Sequence, residues 1–313
     1  MTRTRPPAVG VTGSLVLVAR AYGGPEHQAL AERDVPAPGP GEVLVRVRAA
    51  AVNPADVKRR DGLFGTTRTP PLALGLELSG VVEALGPDVT DLDVGDGVVG
   101  RPRPGAGAFA EHTLARRRDV VPKPAGLPHD VAATLPIAGT AAWDAFHQVD
   151  PGPGRTLLVI GVGGGVGDLV AQLAVAAGTR VVGTGSESKR ARAESLGVAF
   201  VPSGPAALAA VRAAGPVDAV LDLAGGEALR SLVEVVTDRA SVVSAADPTA
   251  AVALGGQALV RGPDVLADVV AAAAEGLLRP NVTATYPLTR AAEAVAQVEG
   301  RHAAGKVVVL PGA

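Results

Sequence analysis

The residues best placed to do chemistry in this chain are a run of glycines. Leu157-Leu-Val-Ile-Gly-Val-Gly-Gly-Gly-Val-Gly167 carries a continuous apolar strand into glycines and then into an apolar helix, Leu169 to Ala177. Glycine lets the backbone turn sharply and approach a pyrophosphate, whose charge is then held by N–H groups at the helix N-terminus. Gly161-Val-Gly163-Gly-Gly-Val matches the G-x-G-x-x-G template except that Val166 fills its last glycine position. Gly164-Gly165-Val166-Gly167 is instead the compact G-G-x-G form. Such a turn can be purely structural; the strand before it and the helix after it are the context that the phosphate reading requires.

The next strand sharpens the choice of ligand. A dinucleotide fold that prefers NAD places Asp or Glu about 20 residues beyond the loop to hold the ribose hydroxyls. Here that stretch reads Val182-Gly-Thr184-Gly-Ser186-Glu-Ser-Lys189, with small hydroxyl residues where the carboxylate would stand. A carboxylate would repel a 2′-phosphate, whereas Ser186 can donate to it and Lys189 or Arg190 can neutralise it. NADPH is therefore expected over NADH. The competing readings are that Lys189 and Arg190 form a solvated first helical turn, and that Glu187 holds the ribose from beyond the strand end.

These groups need elements to hold them, and the 313 residues supply two styles of element. Composition is 47% hydrophobic but 2% aromatic, so packing must come from small contacts and close backbone approach, which suits sheets covered by Ala-rich helices. The first third alternates turn signals with short β-branched runs, Ser14–Ala19, Glu42–Arg48 and Leu78–Glu83, which predicts a small antiparallel barrel. From Pro128 onward, helical patterns alternate with continuous apolar runs, the signature of parallel βαβ units. Strands are predicted at Thr156–Ile160, Arg180–Gly183, Ala199–Val201, Ala219–Leu223, Ser241–Ser244 and Ala258–Arg261, with helices between them. The tail returns to β style at Val282–Tyr286 and Lys306–Leu310 around a helix at Arg290–Glu299. The fold class is thus α/β in two domains: 1–127 completed by 277–313, and a doubly wound parallel sheet over 128–276.

Several classes of function are excluded or disfavoured by composition. Twenty-nine Lys and Arg against 31 Asp and Glu leave a net charge of −2, with no electrostatic footprint for nucleic acid or an anionic membrane. No apolar stretch approaches the roughly 20 residues that span a bilayer. Cysteine is absent, which removes disulfides, thiolate nucleophiles and every zinc site built on sulfur. The histidines, His27, His112, His129, His147 and His302, show no i,i+4 ligand pair, so no metal is expected. The basic start, Met1 to Pro7, precedes a run from Val9 to Val18 broken by Gly and polar residues, a poor signal-peptide core, and a cytoplasmic location is expected.

Several blocks in order resemble the zinc-independent quinone oxidoreductase branch of the medium-chain dehydrogenase/reductase superfamily. They are Tyr22-Gly-Gly-Pro-Glu26, Val52-Asn-Pro-Ala-Asp-Val-Lys58 with Gly62, Leu74-Gly-Leu-Glu-Leu-Ser-Gly80, Val94-Gly-Asp-Gly-Val98, Ala138-Gly-Thr-Ala-Ala142, the glycine loop with Gln172, and Gly305-Lys-Val-Val-Val309. The resemblance implies a GroES-like barrel as catalytic domain, a Rossmann domain, and an active site between them. It also implies Asn53 and Thr140 near the nicotinamide and ribose, with Leu223, Ser244 and Ala245 lining strand ends over the cofactor. Zinc-dependent relatives carry His just before the Glu of the Leu74 to Glu77 segment and an upstream Cys; this chain has Leu76 and no Cys.

Hydride addition to a quinone or an α,β-unsaturated carbonyl asks for a positioned NADPH, an apolar slot and a proton source. Relatives often place Tyr two residues after the Asp of the Asn-x-x-Asp segment, where this chain has Lys58. Lys58 is thus the weak catalytic candidate, with water as its alternative and a solvated charged run, Val57 to Arg60, as the structural reading. The stretch Leu63 to Leu74, taken to form the acceptor pocket, offers one aromatic, Phe64, and no anchoring charge beyond Arg68. Val252 to Val260 is apolar enough to continue the sheet into a second copy, so a homodimer is expected. An enoyl reductase tailoring a biosynthetic intermediate and a non-catalytic NADPH-binding relative are the alternatives.

Overall fold

The computed structural model describes residues 9–300 and 303–312; Met1 to Pro7 and His302, discussed above, lie outside them. The described chain divides into two units, one running to Ile137 and resuming at Val282, the other spanning Ala138–Asn281.

Period-2 burial builds the first unit. Its strands are β1 (Val11–Ala19), β2 (Gln28–Val35), β3 (Glu42–Val52), β4 (Leu72–Ala73), β5 (Leu78–Leu85), β6 (Gly97–Gly100), β7 (His112–Arg116) and β8 (Val120–Pro122), with helices α1 (Pro54–Arg60) and α2 (His129–Ala132). Along β3, Val43, Val45 and Val47 are buried while Arg46 and Arg48 are exposed, as alternating side chains on a half-covered strand require. From Ala49 the pattern becomes continuously apolar, because the second face is covered too: Ala49 and Ala51 pack with Ala133 and Val308. The helical pattern that starts at Pro128 therefore opens inside the first unit. A five-residue π turn, Leu135–Gly139, follows α2.

The second unit is an unbroken series of strand and helix. Its elements are α3 (Thr140–Val149), β9 (Thr156–Ile160), α4 (Gly165–Ala176), β10 (Arg180–Gly185), α5 (Arg190–Ser195), β11 (Ala199–Pro202), α6 (Ala207–Ala213), β12 (Ala219–Asp222), α7 (Gly226–Leu232), β13 (Val242–Ser244), α8 (Pro248–Ala253), β14 (Gln257–Ala258) and α9 (Leu266–Ala274). All strands are parallel, in the order β11-β10-β9-β12-β13-β14. Relabelled from the first strand of the sheet this is 3-2-1-4-5-6, the doubly wound order whose switch point lies between β9 and β12. Both are fully buried, as strands covered on two faces must be. The last strand differs from the expected Ala258–Arg261: only Gln257 and Ala258 pair with β13, and Val252, counted in the apolar stretch toward a second copy, lies in α8, which Asp247 and Pro248 start.

The tail, β15 (Val282–Pro287), α10 (Ala291–Glu299) and β16 (Lys306–Leu310), returns to the first unit. β16 pairs antiparallel with β3, setting Val307 opposite Val52 and Val309 opposite Ala50. An ion pair between the buried Arg60 and the exposed Glu299 joins α10 to α1. The Arg60 guanidinium donates to both Glu299 oxygens at 2.9 and 2.7 Å, and its Nε to Gly23 O and Asp61. Arg60 is thus part of the core rather than of a solvated run. Glu299→Ala would leave this guanidinium with Asp61 and Gly23 O as partners, with an expected loss of about 1 kcal/mol. A fall in the urea midpoint checks this, and an unchanged midpoint would show the pair to be dispensable.

Candidate active site

The glycine loop leaves β9 through Gly161, whose φ of +94° only glycine adopts without strain. The N–H groups of Gly161 and Val162 both donate to the Thr184 carbonyl at the end of β10, at 2.9 and 3.0 Å, which pins the turn to the neighbouring strand. Gly164 caps α4 in an extended conformation, and Gly165, Val166 and Gly167 form its first turn. A Cβ on Gly167 would stand 2.4 Å from the Gly161 carbonyl oxygen, so helix and loop approach more closely than any side chain permits. At Gly164 the nearest such atom is 3.5 Å away, and its N–H donates to Gly161 O at 3.1 Å, so the donors that face a ligand are those of the first helical turn. The geometry fits a pyrophosphate cradle. Asp168, next in the turn, would repel that anion, but its carboxylate accepts two bonds from Arg192, at 2.6 and 3.0 Å, and one from Gln172.

At the end of β10, Thr184 is buried and Ser186 exposed, the Ser186 hydroxyl lying 3.1 Å from that of Ser188. The stem of Lys189 lies across the loop, since a Cβ on Gly163 would meet Lys189 Cβ at 2.3 Å. Arg190 points elsewhere: it pairs with Glu187 and Glu194 on its own turn and sits 4.8 Å over the Phe200 ring. The same pairing engages Glu187.

Across the switch point, Leu223 N–H donates to Ile160 O and Ala245 N–H to Asp222 O, both at 2.9 Å, so these residues sit at the carboxyl ends of β12 and β13. The Ser244 hydroxyl is buried and engaged: it donates to Asp222 at 2.6 Å and accepts from Asp247 N–H. Asp222, buried at the end of an apolar strand, also accepts from the N–H groups of Ala224 and Gly225. Sequence reading missed it, although a carboxylate closing a parallel strand is a signal. Thr140 opens α3 and accepts from Arg261, whose Nε binds Asp144 at 2.8 Å, a pairing that 117 positions of separation hide from the sequence.

In the first unit, Asn53 caps α1 and stands in a buried polar cluster. Its Nδ2 donates to Glu77 Oε1 at 2.7 Å and to Ala51 O at 3.3 Å, while its Oδ1 accepts from Lys306 Nζ at 2.7 Å. Lys306 also reaches Glu77 Oε1 at 3.1 Å, and Glu77 Oε2 accepts from Ile137 N–H at 2.7 Å. The amide is therefore fully engaged within the protein. Asp56 closes the capping box by accepting from Asn53 N–H at 2.8 Å. Lys58 is exposed on α1. Of the two tyrosines, Tyr22 donates to Arg68 O and Tyr286 lies 3.1 Å from Gln297.

The alcohol dehydrogenase GroES-like domain pattern matches residues 39–125, and the zinc-binding dehydrogenase pattern matches 196–309. Over 288 residues the chain is 33% identical to the NADPH-dependent alkenal/one oxidoreductase, chloroplastic, of Arabidopsis thaliana, covering 86% of this chain and 72% of that protein. The chain belongs to the medium-chain dehydrogenase/reductase superfamily. A 2-haloacrylate reductase from Burkholderia is 30% identical over 95% of this chain and 99% of its own. The quinone oxidoreductase of Coxiella burnetii superposes with a TM-score of 0.86 at 27% identity, covering 95% of this chain and 99% of its own.

Among the described residues of this superfamily member, no three His, Cys, Asp or Glu side chains converge as a metal site would need, and no helix is long and apolar enough to cross a membrane.

Two groups around the cluster titrate far from their ordinary values. Burial, with a smaller contribution from Glu77, pushes the Asp56 carboxyl up to about 7. Burial, then Lys123 and Arg48, pushes His129 down to about 4; its Nδ1 lies 2.7 Å from Ser79 Oγ. Between pH 4 and 6.5 the folded chain keeps a proton on Asp56 that the unfolded chain has lost, and lacks one on His129 that the unfolded chain holds. The two slopes oppose each other. Asp56→Asn is expected to leave the His129 slope, so that stability rises with pH across this window. His129→Gln is expected to leave the Asp56 slope, so that stability falls as pH rises. Unfolding midpoints measured from pH 4.5 to 6.5 check both signs, and parallel profiles for the two variants would refute the assignment.

Proposed function

We propose that this protein is an NADPH-dependent reductase of quinones or α,β-unsaturated carbonyl compounds that works without a metal. The observation that carries the reading is the glycine turn from β9 onto α4, capped at Gly164 and crossed by the stem of Lys189. Glu77 adds support. Its carboxylate already has a cation, the Lys306 ammonium, in a chain with no cysteine and with Leu76 in the preceding position.

Bound NADPH would supply a hydride from its nicotinamide. The N–H groups of Gly165, Val166 and Gly167 would hold the pyrophosphate at the positive end of α4, Gly164 N–H being bonded to Gly161 O and Arg192 suppressing the charge of Asp168. Ser186 and Lys189 would hold the 2′-phosphate, Arg190 being engaged by Glu187 and Glu194. Leu223, Ser244 and Ala245 shape the strand ends, Ser244 through Asp222 rather than by its own hydroxyl. Asn53 and Thr140 act as positioning groups. The exposed ammonium of Lys58, or water in its place, is the proton source for the developing enolate. A homodimer is supported by Val252 and Val260, 58% and 69% exposed on either side of edge strand β14, and a cytoplasmic location by the cysteine-free composition.

Fluorescence titration tests the cofactor. Lys189→Ala is expected to weaken NADPH binding about 10- to 100-fold, the worth of a charged hydrogen bond, and to leave NADH unchanged. Tighter binding of NADH by the parent chain would overturn the preference. NADPH oxidation with a panel of quinones and enones tests the enzyme; saturable NADPH binding with inactivity throughout would favour a non-catalytic role.

A further inference from the structure

The nature of the acceptor is addressed by a cavity in the first unit. About 230 Å³ in volume, it joins Arg59, Arg68 and Thr69 to the apolar surfaces of Pro71, Leu72 and Ala73. Sequence reading found one anchoring charge here, Arg68; α1 brings a second. Arg59 is the neighbour of Arg60, yet the two differ in kind: Arg60 is buried and paired with Glu299 and Asp61, whereas Arg59 is half-buried and lines the cavity. No carboxylate lines the cavity, and among the described residues neither Arg59 nor Arg68 has an ion-pair partner.

Arg68 and Thr69 are exposed at the rim of the cavity, with Arg59 half-buried behind them. Tyr22 donates its hydroxyl to the Arg68 carbonyl at 2.8 Å. A Cβ on Gly105 would stand 2.4 Å from Arg68 Nη1, so the guanidinium rests against a bare Cα. Burial and the facing charge of Arg68 hold the Arg59 guanidinium below its ordinary pKa, against a smaller opposing effect of Asp56 and Tyr22. Two guanidinium forks and a hydroxyl beside a short apolar wall form a receptor for a planar oxyanion on a small apolar body. The volume is below the roughly 300–1,000 Å³ of sites for drug-sized ligands, which points to a small acid.

We propose that Arg59 and Arg68 bind the carboxylate of the acceptor, and that the preferred substrate is a small conjugated carbonyl compound bearing an acid group. This rests on the reductase reading above, and the test separates the two. Calorimetry on the full chain would compare 4-oxopent-2-enoate, its methyl ester and inorganic phosphate, and NADPH oxidation would be followed with the acid and the ester. The acid is expected to bind at least tenfold more tightly than the ester, and more weakly as NaCl is raised. Arg59→Gln and Arg68→Gln are each expected to lower the acid-to-ester ratio of kcat/KM about tenfold, and Arg68→Lys less. Equal binding of acid and ester by the parent chain, or an unchanged ratio in the double variant, would overturn the proposal. Phosphate binding tighter than the acid would overturn the carboxylate assignment. Acid binding that needs both arginines, with no NADPH oxidation by either compound, would support the site and contradict the reductase reading.

Discussion

The contact between the Lys306 ammonium and the Glu77 carboxylate, 3.1 Å apart and both buried, is the constraint around which the first unit is arranged. Taking two such charges out of water costs several kcal/mol each, and geometry must repay it. Here every neighbouring polar group helps. Asn53 bridges the pair with both ends of its amide, and Ile137 N–H takes the second Glu77 oxygen. Lys306 begins the strand that pairs with β3, Asn53 follows β3 and caps α1, and Glu77 precedes β5. One cluster therefore fixes the tail, the helix and the turn before α3. It also gives Glu77 a cation from the protein itself, which is why the unit can be organised by this chain's own residues.

In the second unit the organising constraint is close backbone approach. Gly163 and Gly167 let the loop, α4 and the stem of Lys189 occupy space that a single Cβ would fill, and Gly161 supplies the positive φ of the turn. The Ala- and Val-rich composition serves the same end, since small side chains let helices lie near a sheet buried on both faces. Charge near the loop is managed locally. Asp168 is neutralised by Arg192 and Arg190 by its two glutamates, so the field at the cradle comes from the backbone and Lys189.

Much of this was legible in the sequence because it is local. The strand Thr156–Ile160 and the last strand, Lys306–Leu310, fall where apolar runs bounded by turn residues placed them. The parallel order followed from the alternation of strand and helix, and the glycine turn from its spacing. What stayed hidden was non-local pairing. Arg60 reads as one member of a basic run, and only the return of α10 makes it a core residue. Asn53 and Ser244 read as groups aimed at a ligand, but partners distant in sequence engage them first. The edge strand, expected at Ala258–Arg261, pairs only at Gln257 and Ala258, and the apolar stretch from Val252 begins in the helix that Asp247 and Pro248 start, which an apolar run alone does not tell from a strand.

The proposed reaction is direct hydride transfer from a bound nicotinamide to a conjugated acceptor. The measurement that tests it most directly follows the hydrogen. NADPH deuterated on the transferring face of nicotinamide C4 would be oxidised by an enone in ordinary water, and the product examined by mass spectrometry and NMR. One deuterium on the β-carbon, with the α-hydrogen drawn from solvent, is the predicted result. A β-hydrogen from solvent, or reduction of the carbonyl to an alcohol with the double bond intact, would contradict it.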